Sequence, residues 1–360
     1  MGSNFRNLIS QALLELKQPE VGEGKCVHSL MATASCSSCV DACPRQAWIL
    51  DDSILGLDTS NCDGCGLCVP VCPEGAIQRL NEPHQCHWKG RDTAFLACER
   101  AMVSDVEGII PCIHSIGIRD LLLLYRKGTK DIMITHGDCA RCDRGNVHRL
   151  EHAVIRINRM LKDRNASPMR QHVLSSNKWL DNLKTTATAN GQEIGRRSFL
   201  RRALGMAVTE RSTEDKLSAN GQAWSVPPGQ ILPSEKTDSM VPFVPVIDTN
   251  LCNGCDACVR LCPHDALMID MCNVLDAKSY KITAENCSNC GLCIDGCEVG
   301  AISINMWTIP DQMRINLVQA RCTACGADYH VPKESEKGEN TLCRVCGIVN
   351  HYRNLYQVMD

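Results

Sequence analysis

The segment Cys62-Asp-Gly-Cys65-Gly-Leu-Cys68-Val-Pro-Val-Cys72-Pro73 carries four thiols with two, two and three residues between them and a proline behind the last. Three thiolates in one tight loop can each hold a corner of an iron–sulfur cube, while the fourth points away toward a second cube. That arrangement demands a partner set. Upstream, Cys36-Ser-Ser-Cys39-Val-Asp-Ala-Cys43-Pro44 supplies the last three positions of the same run, and Thr33 stands where the first would be. A hydroxyl is a poor ligand for a soft metal, so Cys26, ten residues before Cys36, is the candidate fourth thiolate. The alternative is a three-thiolate or 3Fe-4S site with Cys26 idle. The crossed rule assigns Cys26, Cys36, Cys39 and Cys72 to one cube and Cys62, Cys65, Cys68 and Cys43 to the other.

The pattern returns later in the chain. Cys252, Cys255, Cys258 and Cys262-Pro263 repeat the full spacing, as do Cys287, Cys290, Cys293 and Cys297, with Glu298 in the place of the proline. Crossing gives Cys252, Cys255, Cys258 and Cys297 to one cube and Cys287, Cys290, Cys293 and Cys262 to the other. In the tail, Cys322-Thr-Ala-Cys325 and Cys343-Arg-Val-Cys346 are two knuckles, each followed by glycine. Such a pair makes a tetrahedral four-thiolate site of the zinc-ribbon kind. Iron in the same site would make it similar to a rubredoxin, but those sites are usually ringed by aromatics, and Tyr329, Tyr352 and Tyr356 are few; zinc is the preferred metal.

Between the two thiol-rich regions the pattern changes to short apolar strands alternating with helices. Thr93-Ala-Phe-Leu-Ala97 leads into Cys98, Val106 to Pro111 into Cys112, and Asp131-Ile-Met-Ile-Thr135 into His136-Gly-Asp-Cys139-Ala-Arg-Cys142. Ile118 to Arg126 reads as an apolar helix stopped by Gly128, and Val147 to Leu161 as an amphipathic one. The alternation predicts a small parallel α/β unit. Its cysteines fall at or just past the carboxyl ends of strands, where open α/β sheets place their sites. Four thiolates converging there, Cys98, Cys112, Cys139 and Cys142, could hold a 2Fe-2S cluster. Ordinary buried cysteines and a zinc site are the alternatives.

Two resemblances follow from these residues. The paired runs, with the matching tails Pro44-Arg-Gln-Ala47-Trp48-Ile49 and Pro73-Glu-Gly-Ala76-Ile77, resemble the pseudo-twofold halves of bacterial ferredoxins carrying two 4Fe-4S clusters. The strand ending in Cys98, the Pro-Cys112 step with its following helix, and Gly137-Asp-Cys139 with Gly145-Asn146 resemble the iron–sulfur delta subunit of methyl-viologen-reducing hydrogenase. In that family the domain passes electrons between hydrogenase or formate dehydrogenase and heterodisulfide reductase through a 2Fe-2S cluster. This chain departs from it in the spacing that produces Cys142 and in having only Cys98 at the first strand end.

The remaining sequence bounds the reading. Twenty-six cysteines in 360 residues with 4% aromatics indicate a disulfide scaffold or metal ligation. Their close, repeated spacing suits metal corners. A net charge of −3 with interspersed signs gives no footprint for nucleic acid, and no run approaches a membrane span. Met1 to Pro19 is amphipathic, with Phe5, Leu8, Ile9, Ala12, Leu13 and Leu16 on one helical face, and has no signal-peptide core. These features favour a reducing cytoplasm. Gly195-Arg-Arg-Ser-Phe-Leu-Arg-Arg202 resembles the twin-arginine export signal and a string in ferredoxins that accompany nitrate reductase. It lies mid-chain before too short an apolar stretch for export, so it reads as a basic helical contact patch or a solvated face.

The expected fold is α+β and multi-module. It comprises an amphipathic helix over 1–21, a ferredoxin module over 22–90, the α/β domain over 91–164, a connector over 165–245, a second ferredoxin module over 246–308 and a zinc-ribbon-like domain over 309–360. Four 4Fe-4S clusters, a 2Fe-2S cluster and one zinc or iron account for all cysteines except Cys86 and Cys272. No GxGxxG, Walker or GxSxG signature competes, and His84, His87 and His136 read as surface or packing residues. The expected role is an electron-transfer subunit without a catalytic residue of its own, similar to ferredoxin-like subunits of molybdenum or tungsten oxidoreductases, formate dehydrogenases, hydrogenases and heterodisulfide-reductase-type complexes. Its partners would be a catalytic oxidoreductase subunit and a soluble carrier or flavoprotein. A redox enzyme acting at the central α/β site and a redox-sensing assembly module are the alternatives.

Overall fold

Short apolar runs beside each cysteine loop can form only short strands, and the chain uses them as clasps. The computed structural model describes residues 18–22, 24–51, 54–78, 82–145, 148–189, 225–233, 239–272, 277–334 and 342–348. The chain divides into two units, Met1–Thr237 and Asp238–Asp360. The amphipathic segment before Gln18, the arginine-rich string at 195–202, and Tyr352 and Tyr356 lie outside the described residues.

In the first unit the strand Glu20–Val21 pairs antiparallel with Ile77–Gln78, and Trp48–Asp51 pairs antiparallel with Ile54–Leu57. These two ribbons bracket the cysteine loops around a small core of Cys39, Trp48, Cys68, Val69 and Ile77. The second unit repeats the arrangement at larger scale. Val241–Ile247 pairs with Ile302–Thr308, and Leu267–Cys272 pairs with Ala277–Ile282. The latter hairpin continues through Arg314–Arg321 and Asp328–Pro332 into a four-stranded antiparallel sheet. Its core gathers Ile247, Leu267, Tyr280, Ile282, Ile302, Ile315 and Leu317 around Cys252, Cys258 and Cys293.

The rest of the first unit is a five-stranded sheet in the order His84–Trp88, Arg91–Cys98, Asp131–Thr135, Arg170–Val173, with Ile109–Ile110 also pairing Arg91–Cys98. The apolar runs at Thr93–Ala97 and Asp131–Thr135 are buried throughout, as expected for strands covered on both faces. The helices Ile118–Arg126, Arg149–Asp163 and Ser176–Ala189 supply the cover. Trp179 of the last is fully buried, donates its indole N–H to the Met133 carbonyl at 3.0 Å and meets Phe95 edge-on at 5.7 Å.

Several sequence-based boundaries are corrected by this architecture. The sheet is mixed, because His84–Trp88 runs antiparallel to Arg91–Cys98 while the other pairings are parallel. The α/β domain therefore begins before 91, inside the span expected for the ferredoxin module. It also continues past 164 into the expected connector. Arg170–Val173 adds an edge strand and Ser176–Ala189 a covering helix. The edge strand Arg-Gln-His-Val has too little apolar character to announce itself. It is held by the nearly buried Asp131 carboxylate, which takes both Arg170 nitrogens at 2.6 Å and His172 at 3.1 Å. The Arg170 hydrogen bonds hold the Asp131 carboxyl at about 2, below its ordinary value. Val241-Pro-Phe-Val-Pro-Val-Ile247, expected as connector for its prolines, is a strand of the second unit. It pairs on one side only, where a missing N–H can be tolerated.

Candidate metal centres

Each fourth cysteine is fixed by the same local device. Ala47 N–H points at Cys43 Sγ at 3.3 Å, and Ala76, Ala266 and Ala301 N–H groups point at Cys72, Cys262 and Cys297 Sγ, each at 3.2 Å. The four alanines are buried, and their small side chains let the turn after the cysteine close over its sulfur. Reading cysteine spacing alone misses these residues; the alanine four places after each fourth cysteine was their visible signal. An N–H donated to sulfur favours the anionic thiolate and hence metal ligation.

Three of the four crossed sets come together, and the first brings together three of its thiols. One cavity is lined by Cys43, Cys62, Cys65 and Cys68, and another by Cys262, Cys287, Cys290 and Cys293. For the remaining sets the mutual influence of the thiols shows the neighbourhood. Burial pushes Cys39 up to about 12, with Cys72, Cys36 and Cys68 adding to it. Burial does the same for Cys258, also to about 12, with contributions from Cys252, Cys255 and Cys297. Cys65 and Cys68 are likewise pushed to about 12 by burial. Crowded, buried thiols resist ionisation by themselves, and a bound cationic metal centre would reverse that balance by displacing their protons. Three of the sets present four neighbouring sulfurs with backbone N–H support, a donor set that fits a thiolate-held cluster; around Cys39 the neighbouring sulfurs are those of Cys36, Cys72 and Cys68, with Cys26 not among them.

Backbone conformation separates the first loop from the other three. Gly64 and Gly66, Gly254 and Asp256, and Asn289 and Gly291 all take positive φ at equivalent places beside the second cysteine of their runs. The first loop has Ser35 and Ser37 there, and Ser37 has φ of −117°. Its chain enters the helix Ser38–Asp41 directly. Cys26, half-buried, caps the helix Val27–Leu30, and the ring of buried His28 in that helix hydrogen-bonds the Cys36 carbonyl at 2.8 Å. The Cys26 segment is thus tied to the Cys36 loop by a side chain.

The central thiols also converge. Cys98 ends its strand and directs Sγ toward the Pro111 carbonyl, while Cys112 precedes the turn Ile113–Ser115. Burial pushes Cys112 up to about 11, with Cys98 and Cys139 among its neighbours, and Cys139 in turn feels Cys98 and Cys142. His136, half-buried, packs at the edge of the site, its Nδ1 2.6 Å from the Gly137 carbonyl and 3.5 Å from Cys139 Sγ. His114 is buried with both ring nitrogens unpartnered, and burial holds its pKa down at about 4. By contrast, His87 is largely exposed beside Asp92, and His84 pairs with Glu107. Cys86 packs against Thr186, and Cys272 ends the strand Leu267–Cys272.

The central domain is fastened to the Cys62 loop. Arg144, 4% exposed, sends Nε to Asp63 at 2.9 Å, Nη2 to Glu99 at 2.6 Å and Nη1 to the Pro111 carbonyl at 2.6 Å. Gly117 lies so close to Pro70 that a Cβ would stand 2.5 Å from the proline Cβ. Across this seam Cys65, Leu67 and Cys112 form one buried cluster.

In the second unit Cys322, Cys325, Cys343 and Cys346 have their sulfurs all within 4.8 Å of one another. The Cys325–Cys343 separation is 3.8 Å, and a zinc–sulfur bond of 2.3 Å implies a tetrahedral edge of about 3.8 Å. Backbone N–H groups of Cys343 and Cys325 lower Cys322 to about 6. This group fits a single ion, whereas a cube needs its sulfurs farther apart. The sheet that carries the knuckles also touches a cluster loop. His330 Nε2 and Tyr280 Oη both bond Asp256 Oδ1, at 2.8 and 2.7 Å, and the His330 carbonyl fills the space where a Cβ on Gly254 would go.

Comparison with known proteins gives these sites a family. A 4Fe-4S binding domain matches residues 56–78, and a 4Fe-4S dicluster domain matches residues 251–301. An uncharacterized ferredoxin of Methanocaldococcus jannaschii is 35% identical over 52 residues, 14% of this chain and 84% of the relative. The chain belongs to the ferredoxin family. A second uncharacterized ferredoxin of that organism is 26% identical over 110 residues, 31% of this ferredoxin and 61% of the relative. The pyruvate synthase subunit PorD of Thermotoga maritima is 37% identical over 66 residues, 18% of this ferredoxin and 60% of that subunit. The last two relatives are thus spanned over less than two thirds of their length. The ferredoxin domains mark an iron–sulfur electron-transfer protein. Among its described residues no helix is long and apolar enough to cross a membrane.

Proposed function

We propose that this ferredoxin is an electron-relay subunit of an oxidoreductase complex, with four 4Fe-4S clusters, a 2Fe-2S cluster and one zinc. The ligand sets are Cys26, Cys36, Cys39 and Cys72; Cys62, Cys65, Cys68 and Cys43; Cys252, Cys255, Cys258 and Cys297; and Cys287, Cys290, Cys293 and Cys262. Cys98, Cys112, Cys139 and Cys142 hold the two-iron centre in a domain resembling the hydrogenase delta subunit, and the C-terminal knuckles hold zinc. A thiolate-bound cluster accepts and releases single electrons at a potential set by hydrogen bonds, charge and exposure.

The observation that carries this reading is the seam in the first unit. Cys65 and Cys112 belong to different thiol sets, yet both pack on Leu67 in one buried cluster. The chain keeps them in register with a buried guanidinium, Arg144, at the domain junction. A structural metal has no need of a second centre beside it, while a relay does. The likeness to a pyruvate synthase subunit supports a large redox enzyme as partner, and a soluble carrier or flavoprotein would stand at the other end.

Metal analysis after anaerobic purification tests the assignment. The intact protein is expected to hold about 18 iron atoms and about one zinc. Cys112→Ser is expected to lose about two iron atoms and the two-iron spectroscopic signal while retaining the rest. Unchanged iron in that variant would remove the central cluster from the relay. Co-eluting chains from the same preparation would identify the redox partner.

A further inference from the structure

We infer that Arg149 is a shared electrostatic control residue, its guanidinium raising the reduction potentials of both the Cys62-set cluster and the central cluster. The inference rests on the relay reading and assigns to one side chain the matching of two neighbouring centres.

Arg149 is the first residue of the helix Arg149–Asp163. A cation there is locally unfavourable, because the helix already presents partial positive charge at its N-terminus. Surface helices place acids at that position. Here the side chain is half-buried, and among the described residues no carboxylate pairs with it. Its Nη1 instead donates to the Leu67 carbonyl at 2.7 Å, between Cys65 and Cys68 in sequence. Leu67 packs on Cys112, so the guanidinium stands at the junction of the two thiol sets. Cys65, Cys112 and Cys68 are the thiols within its electrostatic reach. Next to it, His114 is buried with both ring nitrogens unpartnered, its ring 6.4 Å from that of His148, the helix N-cap. A helix terminus, a fixed cation and buried unpartnered nitrogens around one seam suit an anionic occupant. A guanidinium stays charged across the accessible pH range, so its effect does not switch.

The sign follows from charge. Each reduction adds one electron from the reductant, with no bond made or broken, and makes the cluster more negative. A nearby fixed cation stabilises the reduced form more than the oxidised form and raises the potential. One residue shared by two clusters moves both together, which preserves the step between them.

The test is an anaerobic redox titration with dithionite followed by electron paramagnetic resonance on the full chain. Arg149→Gln keeps an amide donor for Leu67 and removes the charge. Two components are expected to become about tenfold harder to reduce at fixed potential, equivalent to about 59 mV for a one-electron couple, while the others stay in place. Arg149→Lys restores the charge and should recover the parental values. A second variant guards against misassembly. His148→Asp supplies a preferred N-cap residue at an exposed position while adding negative charge beside Arg149. It should lower the same two components. Unmoved potentials in the variants that load their clusters, or an equal drop in Arg149→Lys and Arg149→Gln, would overturn the inference. Clusters that no variant or parent protein can reduce would instead overturn the relay itself.

Discussion

Replacing Arg144 with methionine is expected to destabilise the first unit by about 3 kcal/mol, the low end for removing one partner of a buried ion pair. The low end applies because Asp63 and Glu99 keep 23% and 26% side-chain exposure and regain some water when the arginine leaves. The Pro111 carbonyl, at 2.6 Å from Nη1, loses its donor as well. Urea unfolding of the first unit, read by loss of cluster absorbance, would measure the effect. Arg144→Lys should recover only part, since an ammonium cannot reach two carboxylates and a carbonyl with one planar fork. A change below about 1 kcal/mol would place the pair among ordinary surface ion pairs and remove the seam as a structural requirement.

Cys343→Ser is expected to abolish the C-terminal metal site and with it the order of the strand ends that carry it. The free energy of zinc binding to structural four-ligand sites is about 10–16 kcal/mol, and where no preformed site exists it is folding energy. At the knuckle end little else compensates: its buried described residues are Cys322, Val331, Pro332 and Cys343, while Ile315 and Leu317 of the adjoining strand belong to the core of the second unit. Zinc should fall from about one per chain to none, and amide exchange across Asp328–Pro332 and the Arg321 end of its partner strand should become fast, while the Arg314 end stays protected by its pairing with Ala277–Ile282. A second effect should appear at a distance. Loss of sheet order frees His330 from Asp256 and Gly254, inside the Cys252 loop, so chelators should extract iron from that set sooner than from the Cys62 set. Retained strand protection without zinc would contradict the assignment of the metal as structural.

Much of the site was legible because iron–sulfur ligation is written in local spacing. Cys62 to Cys72 and Cys252 to Cys262 declare their loops, and the glycine, aspartate and asparagine positions that accept positive φ repeat with them, from Gly64 to Asn289 and Gly291. The same periodicity located Ile118–Arg126 and Asp131–Thr135 to the residue. What spacing could not show are contacts between residues far apart in sequence. Arg144 and Asp63 are 81 positions apart, and Trp179 reaches Met133 across 46. Polar edge strands were also hidden: Arg170–Val173 is ordered by Asp131 rather than by its own pattern, and Pro242 and Pro245 disguised a strand whose partner, Ile302–Thr308, is far away. The first loop is intermediate, since Thr33 announced the missing thiol but nothing local announced that His28 would tie the Cys26 segment to Cys36.

Stoichiometric reduction is the most direct test of the central claim. Anaerobically purified protein titrated with dithionite should take up about five electrons per chain in single-electron steps, one for each proposed cluster, and return them to an added electron acceptor without loss of iron. Iron-replete protein that accepts no electrons, or that loses its iron on the first reduction, would contradict the account.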